Sequence, residues 1–567
     1  MADTFKYLTR RVLRQEHFSK VLQRSNPHQI IDRTFFIDCS NQRLKTIPSE
    51  ILALKELEEV HLENNQIEEI PQDIQYLQNI KVLYLNNNDL QNLCQELGAL
   101  SSLESLDLSD NPLVGSSLQV ISCLRTLREL RLYRTGLTEI PTSICKSLHH
   151  LELFGLSENY LESLPKEIVN QTKLREIYLK QNHFEVFPCD LCVLCNLEVI
   201  DLDDNKLKSI PEDIGRLKRL QKFYVASNNL MVLPESLGQC SKLSVLDLTQ
   251  NSIHSLPSTL ERLKEVTEVG LSGNRLEKVP RLLCGWQSLH LLYLRNTSLH
   301  GLRRSFKHLV DLRFLDLSQN HIEHFPLQIC ALKNLEILAL DDNKVKQLPP
   351  TIALLSKLKI LGLTGNDFSC FPEEIFSLAS LEKLYIGQDQ GSKLSSLPEN
   401  IKKLTNLKEL YIENNKLEQL PASLGLMLNL EVLDCRHNLL KQLPDAICST
   451  RNLRELLLED NLLCCLPENL DHLVNLKVLT LMNNPMVDPP MEVCIQGNKA
   501  IWKHLKENRI RKRMATKIQA WWRGIMVRKG YGSYEELLKA RKKGKSPPKD
   551  KKGKMAAKGK PAKGNKK

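Results

Sequence analysis

One template, LxxLxLxxNxLxxLPxxIxxL, returns at a period of 23 residues over most of this chain. A period of that length forces a stack of similar units, each burying its apolar face on its neighbours, in place of separate globular cores. Twenty copies align on the Asn position: Gln42, Asn65, Asn88, Asn111, Thr135, Asn159, Asn182, Asn205, Asn228, Asn251, Asn274, Thr297, Asn320, Asn343, Asn366, Ser392, Asn415, Asn438, Asn461 and Asn484. A buried row of amide side chains offers donors and acceptors to backbone groups left unpaired where each strand turns away.

The LxL segment alternates with period two, so its leucines face inward from a short strand and the residue between them faces outward. In LPxxI the proline ends the strand and an apolar residue three positions on returns to the core, as Pro141 with Ile144 or Pro349 with Ile352. These motifs resemble the leucine-rich-repeat family in its 23-residue LPxxI form. The resemblance implies an α/β solenoid over residues 32–495, with a curved parallel sheet on its concave side, and an N-terminal helical cap over 1–31.

Sixteen cysteines are strewn singly along the chain. Cys145, Cys192, Cys284, Cys330, Cys448 and Cys494 all fall ten residues after the Asn position of their own copy, so they share one structural slot. Cys189, Cys192 and Cys195 have zinc-like spacing, but one of them occupies that slot and no fourth ligand is nearby, which disfavours a metal. Some copies depart from the template. Cys94 and Arg303 stand where proline is expected, the copy after Asn111 lacks LP, and residues are inserted around Gly387 to Gly391. The insertion reads as a tolerated loop or, more sharply, as a partner contact.

Tyrosine and aspartate recur in the outward column. Tyr84, Tyr178, Tyr224, Tyr293, Tyr385 and Tyr411 share it with Asp38, Asp107, Asp201, Asp247, Asp316 and Asp434. Tyrosine suits protein recognition, and an acidic, tyrosine-bearing face suits a basic partner. The plainer reading is that both residues simply fit exposed positions of a parallel sheet.

The net charge of +11 is unevenly placed: residues 541–567 carry +12 and residues 499–540 carry +9, leaving −10 on residues 1–498. A positive balance invites a nucleic-acid or membrane reading, but here it belongs to the end outside the repeats, and specific nucleic-acid binding is not expected. The N-terminus has no secretory apolar run, and no eighteen apolar residues occur in a row, so the expectation is a soluble intracellular protein without membrane insertion.

After the repeats, residues 496–532 read as a helix. It contains IQAWWRGIMVRKGY, Ile518 to Tyr531, which matches the IQ motif at Ile518, Gln519, Arg523, Gly524, Arg528 and Tyr531. Ile518, Trp522 and Ile525 form one apolar stripe, flanked by Trp521 and the arginines. Such a basic helix with aromatic and aliphatic anchors is what an acidic EF-hand lobe grips. The resemblance implies that Ile518 anchors in calmodulin's C-lobe, Gln519 bonds its backbone and Arg523 meets its acidic side chains. Gly524 would permit close approach, Arg528 and Tyr531 would engage the N-lobe, and a complete second half implies binding of calcium-free calmodulin. The competing role is a cap on the solenoid's open end, for which Trp502 is the better placed residue. A capping box at Ser533 and Glu536 predicts a short helix over 533–540. Residues 541–567 lack aromatics and should be disordered.

The lysine tail has three readings: a solubilising extension, a contact with acidic protein surfaces such as tubulin tails, or a contact with phosphate-rich polymers. It would also suit a fold-back onto the acidic body. No nucleotide loop, HExxH or GxSxG is present and no segment outside the repeats is large enough for a catalytic domain, so no enzyme activity and no cofactor are expected. The whole resembles the leucine-rich-repeat and IQ-domain-containing proteins. That likeness implies a binding scaffold for calmodulin or a related EF-hand protein and for a further, unidentified protein. It also implies a cytoplasmic or cytoskeletal location, including cilia or flagella. Attachment to the cytoskeleton through the tail is the alternative.

Overall fold

Alternate leucines of each LxL segment enter the core, which leaves three residues of backbone to pair with the neighbouring copies. In this computed structural model, which describes residues 35–388 and 391–529, twenty three-residue strands are present among the described residues. They are numbered β1 to β20 in chain order. The chain divides into two compact units, Met1–Asn366 and Asp367–Lys567. The first holds β1 (Phe36–Asp38) to β15 (Ile360–Gly362), and the second holds β16 (Lys383–Tyr385) to β20 (Val478–Thr480). Within each unit successive strands pair in parallel, one copy apart: Tyr178 stands opposite Asp201 and Asp201 opposite Tyr224, while Tyr385 stands opposite Tyr411. The expected α/β repeat architecture with a parallel sheet is the one observed.

The amide row does what its chemistry allows. Asn88 accepts the Ile67 N–H at 2.9 Å and donates to the carbonyls of Leu85 at 2.9 Å and Leu62 at 3.0 Å, so one buried side chain ties two copies together. Asn251 in the first unit and Asn438 in the second repeat this pattern. Where threonine replaces Asn, part of it survives: the Thr297 hydroxyl donates to Leu294 at 2.8 Å.

The residue just before each asparagine is commonly left-handed, as at Asn64 (φ 58°), Asp204 (φ 54°) and Gly273 (φ 68°). Asn, Asp and Gly bear that conformation at least cost, which explains their frequency there. Repeat spacing alone did not expose this turn.

On the opposite side, LPxxI segments form short 3-10 turns that start after an extended proline, such as Gln72–Tyr76 and Glu212–Arg216, and bury Ile74 and Ile214. Cys94 and Arg303 adopt the same extended conformation without the ring, at φ −71° and −70°. The copy lacking LP closes instead with a longer 3-10 segment, Gly115–Cys123, through buried Leu118 and Ile121. Two turns are α-helical, α1 (Ser49–Leu52) and α2 (Thr142–Ser147).

The shared cysteine slot faces the next copy. Its glycine occupant Gly238 would bring a Cβ within 2.4 Å of the Thr259 carbonyl oxygen, and Gly425 within 2.3 Å of that of Ala446. At these two copies the neighbour leaves no room for a side chain, and in the cysteine copies the thiol fills the slot as a small apolar group. Burial pushes the Cys145 and Cys192 thiols up to about 12, which keeps them protonated and unreactive.

After β20 come α3 (Met491–Cys494) and α4 (Asn498–Arg528), with Gly497 at φ 88° between them. The expected N-terminal cap (1–31), the helix over 533–540, the tail and Tyr531 lie outside the described residues.

Candidate protein-docking surfaces

α4 is one helix with two environments. Its first turns close the end of the second unit through Ile501 and Leu505, both buried. Trp502, the residue expected to cap the repeats, is half-buried beside them. Polar contacts fix the same stretch. Asp488 Oδ1 accepts from His504 Nε2 and Asn508 Nδ2, each at 2.7 Å, Arg509 donates to Asn469 and Asp471, and Lys512 pairs with Glu468.

Beyond Lys512 the helix leaves the repeats. Ile510, Met514, Ile518 and Trp522 follow one another at four-residue spacing, which places them on one face. Ile518 is 63 %, Trp521 60 % and Trp522 53 % exposed. A run of large apolar side chains held in water on a basic helix is the signature of an interaction face, because isolated folding gains nothing from it. Gln519, Arg523 and Arg528 are also exposed, while Gly524 and Ile525 are half-buried. An added Cβ at Gly524 would meet only an Arg528 guanidinium nitrogen, at 3.4 Å, so this helix itself does not demand glycine there.

The second surface is the outward strand face. Tyr84, Tyr178, Tyr224 and Tyr293 of the first unit, and Tyr385 and Tyr411 of the second, are all half-buried in the outward column. Tyr385 and Tyr411 stack with centroids 4.5 Å apart. Tyr178 donates to Glu176 at 2.7 Å and meets Tyr133 edge-on at 6.5 Å. Gly155 makes room for that contact, since a Cβ there would lie 2.4 Å from the Tyr133 ring.

The aspartates of the same column have a backbone task that the sequence reading did not assign. Asp38, Asp107, Asp201, Asp247, Asp316 and Asp434 each accept the N–H two residues further on, at 2.9–3.1 Å, where the strand ladder stops supplying acceptors. Asp203 does the same work across copies, accepting the Ala226 N–H at 2.6 Å, and Asp341 accepts that of Thr364 at 2.8 Å. Burial, aided by the nearby Asp201 carboxylate, pushes Asp203 up to about 7, and burial pushes Asp341 up to about 6. Asp201 is raised chiefly by burial as well. Asp247 and Asp316 remain half-buried, but Asp434 is buried under its ion pair with Arg436 and offers little to a partner.

Leucine-rich-repeat profiles match residues 55–113, 125–184, 218–276 and 405–463, and a leucine-rich-repeat region matches 273–417. The chain is 88 % identical over 565 residues to mouse leucine-rich repeat and IQ domain-containing protein 4, spanning 100 % of this chain and 95 % of that protein. It is 76 % identical over 535 residues to the human protein of that name, spanning 94 % and 96 %. The chain belongs to the leucine-rich repeat and IQ domain-containing proteins. Among solved structures, a leucine-rich-repeat protein of Leptospira interrogans aligns at TM-score 0.58 and 30 % identity over 71 % of this chain and 96 % of its own. The Arabidopsis receptor kinase HAESA, solved with the peptide hormone IDA and the co-receptor SERK1, aligns at TM-score 0.51 and 26 % identity, over 84 % and 90 %.

Other features of this repeat and IQ-domain protein stay apart from both surfaces. Of the cysteines with zinc-like spacing, Cys192 is buried, while Cys189 and Cys195 are exposed and direct their sulfurs at the carbonyls of Phe187 and Val193. Across the insertion after Ile386, Asn415 still ties two copies together, donating to the Ile386 carbonyl at 3.2 Å and accepting from Leu394 at 2.8 Å. No helix among the described residues is long and apolar enough to cross a membrane.

Proposed function

We propose that this chain is a non-enzymatic scaffold that holds calmodulin or a related EF-hand protein on the projecting half of α4 and a second protein on the outward face of its strands. The observation that carries the reading is the exposed stripe of Met514, Ile518 and Trp522, with Trp521 beside it, inside an IQ-type sequence on a basic helix. Burying such side chains in an acidic lobe removes apolar surface from water and pairs opposite charges in one step. Arg523 and Arg528 sit on the same helical segment as the anchors, as the motif requires. The strand face supplies the second surface with tyrosines at half-buried positions, and the similar repeat array of HAESA, solved with a peptide hormone and a co-receptor, supports the reading. The expected setting is cytoplasmic or cytoskeletal, including cilia.

Calmodulin should be retained by the full chain in a chelator-containing pull-down. Replacing Ile518 and Gln519 together by alanine should abolish retention, and a double variant that still retains calmodulin contradicts the assignment.

A further inference from the structure

At its first two copies, the outward face of β1 and β2 (Glu59–His61) carries a group with metal-ligand chemistry. Asp38 and His61 stand opposite each other across the two strands, and Glu63 follows two residues after His61. One ligand atom from each lies within 4.8 Å of the other two. A bound ion about 2.0–2.2 Å from each ligand atom would draw them somewhat closer, within the reach of ordinary side-chain movement.

The histidine is oriented for this task. Its Nε2 lies 2.8 Å from Glu59 Oε1. A carboxylate only accepts, so Nε2 donates to Glu59, which leaves Nδ1 as the nitrogen that can offer a lone pair to an ion. Nδ1 points toward Glu63 Oε1 at 3.9 Å, too long for a hydrogen bond. Phe36 meets the ring edge-on at 5.1 Å and Tyr84 covers it at 4.7 Å, which limits its rotation. Asp38 Oδ1 is held by the Ser40 N–H at 3.0 Å. An imidazole whose far nitrogen donates to a second carboxylate is the arrangement that orients metal-binding histidines.

We propose that Asp38, His61 and Glu63 bind one divalent first-row transition ion, of the Zn2+ and Mn2+ class, with water completing its shell on the exposed Asp38 side. One imidazole beside two carboxylates favours such ions over Ca2+ and Mg2+, which take oxygen ligands alone. The ion would bridge the first two strands and pin the first copy to the second. Glu59 is the positioning residue, because it fixes the ring through Nε2 without touching the ion.

The test is titration of the full chain, stripped with a chelator, with Mn2+, reading free ion by electron paramagnetic resonance; Mn2+ binds thiols poorly, so the cysteines contribute little. One equivalent should disappear from the free signal and return when Zn2+ is added. His61→Gln and Asp38→Asn should each weaken that equivalent by about tenfold or more, and Glu59→Gln by about tenfold. Each variant should keep the circular dichroism of the parent, since all three side chains face outward. Loss of no Mn2+ signal with the parent chain overturns the site, and so does unchanged binding by His61→Gln, which would place the ion on carboxylates elsewhere.

Discussion

Asn251 accepts from Leu230 and donates to Val225 and Leu248, so removing its side chain strands backbone groups of two copies away from water. Asn251→Ala should therefore cost about 2–4 kcal/mol in chemical denaturation, and Asn251→Thr should cost less, because a threonine at the matching position of another copy keeps one of those bonds. Equal losses for the two variants would contradict the ladder account. Asp203 makes a different prediction. Its carboxyl is raised from 3.8 to about 7, so the folded chain holds a proton that the unfolded chain has released across that window. Stability from this residue is greatest at low pH and is lost as pH rises toward 7. Asp203→Asn, which keeps the oxygen that accepts from Ala226, should raise the melting temperature at pH 8 and leave it nearly unchanged at pH 4. A gain that is largest at pH 4 would reverse the sign. The outward aspartates were visible in the sequence as a column, but their bond to the N–H two residues on was not, because it depends on where the strand ladder ends.

Most copies are one strand, one left-handed turn and one 3-10 segment, and these elements were unequally legible. The strands were readable because Leu–x–Leu alternation has a single structural meaning when it recurs in a fixed register. The buried amides were readable too, since Asn in a core position demands partners on the backbone. The turn before the asparagine was hidden, because Arg134, Glu158 and His437 take it as well as Asn, Asp and Gly do. The shared cysteine slot was visible only as spacing. At its glycine copies the next copy stands too close for a side chain, and Gly238→Ala, which drives a Cβ toward the Thr259 carbonyl, should destabilise the chain by about 1–3 kcal/mol. Cys330→Ala at the equivalent position of another copy should cost less, as it only removes a small buried sulfur. Thermal melts of the two variants compare them directly, and a milder effect for Gly238→Ala would count against close packing at this slot.

At the scale of the molecule, α4 divides by environment. Its first turns belong to the second unit through Ile501, Leu505 and the Asp488 contacts, while the segment from Arg513 onward presents its anchors to solvent. The motif named the anchors from sequence alone; the point where the helix leaves the repeats emerged only from the contacts of Arg509 and Lys512 with residues about forty positions earlier. Under the proposed function, folding and partner binding use different parts of this one helix. Isothermal titration of calmodulin in chelator, into the full chain and into a chain ending at Thr516, tests it most directly, with the melting temperature of both followed in parallel. The expected result is binding of one calmodulin by the full chain, none by the shortened chain, and melting temperatures that agree. Binding that survives the truncation, or a shortened chain that melts well below the parent, would contradict it.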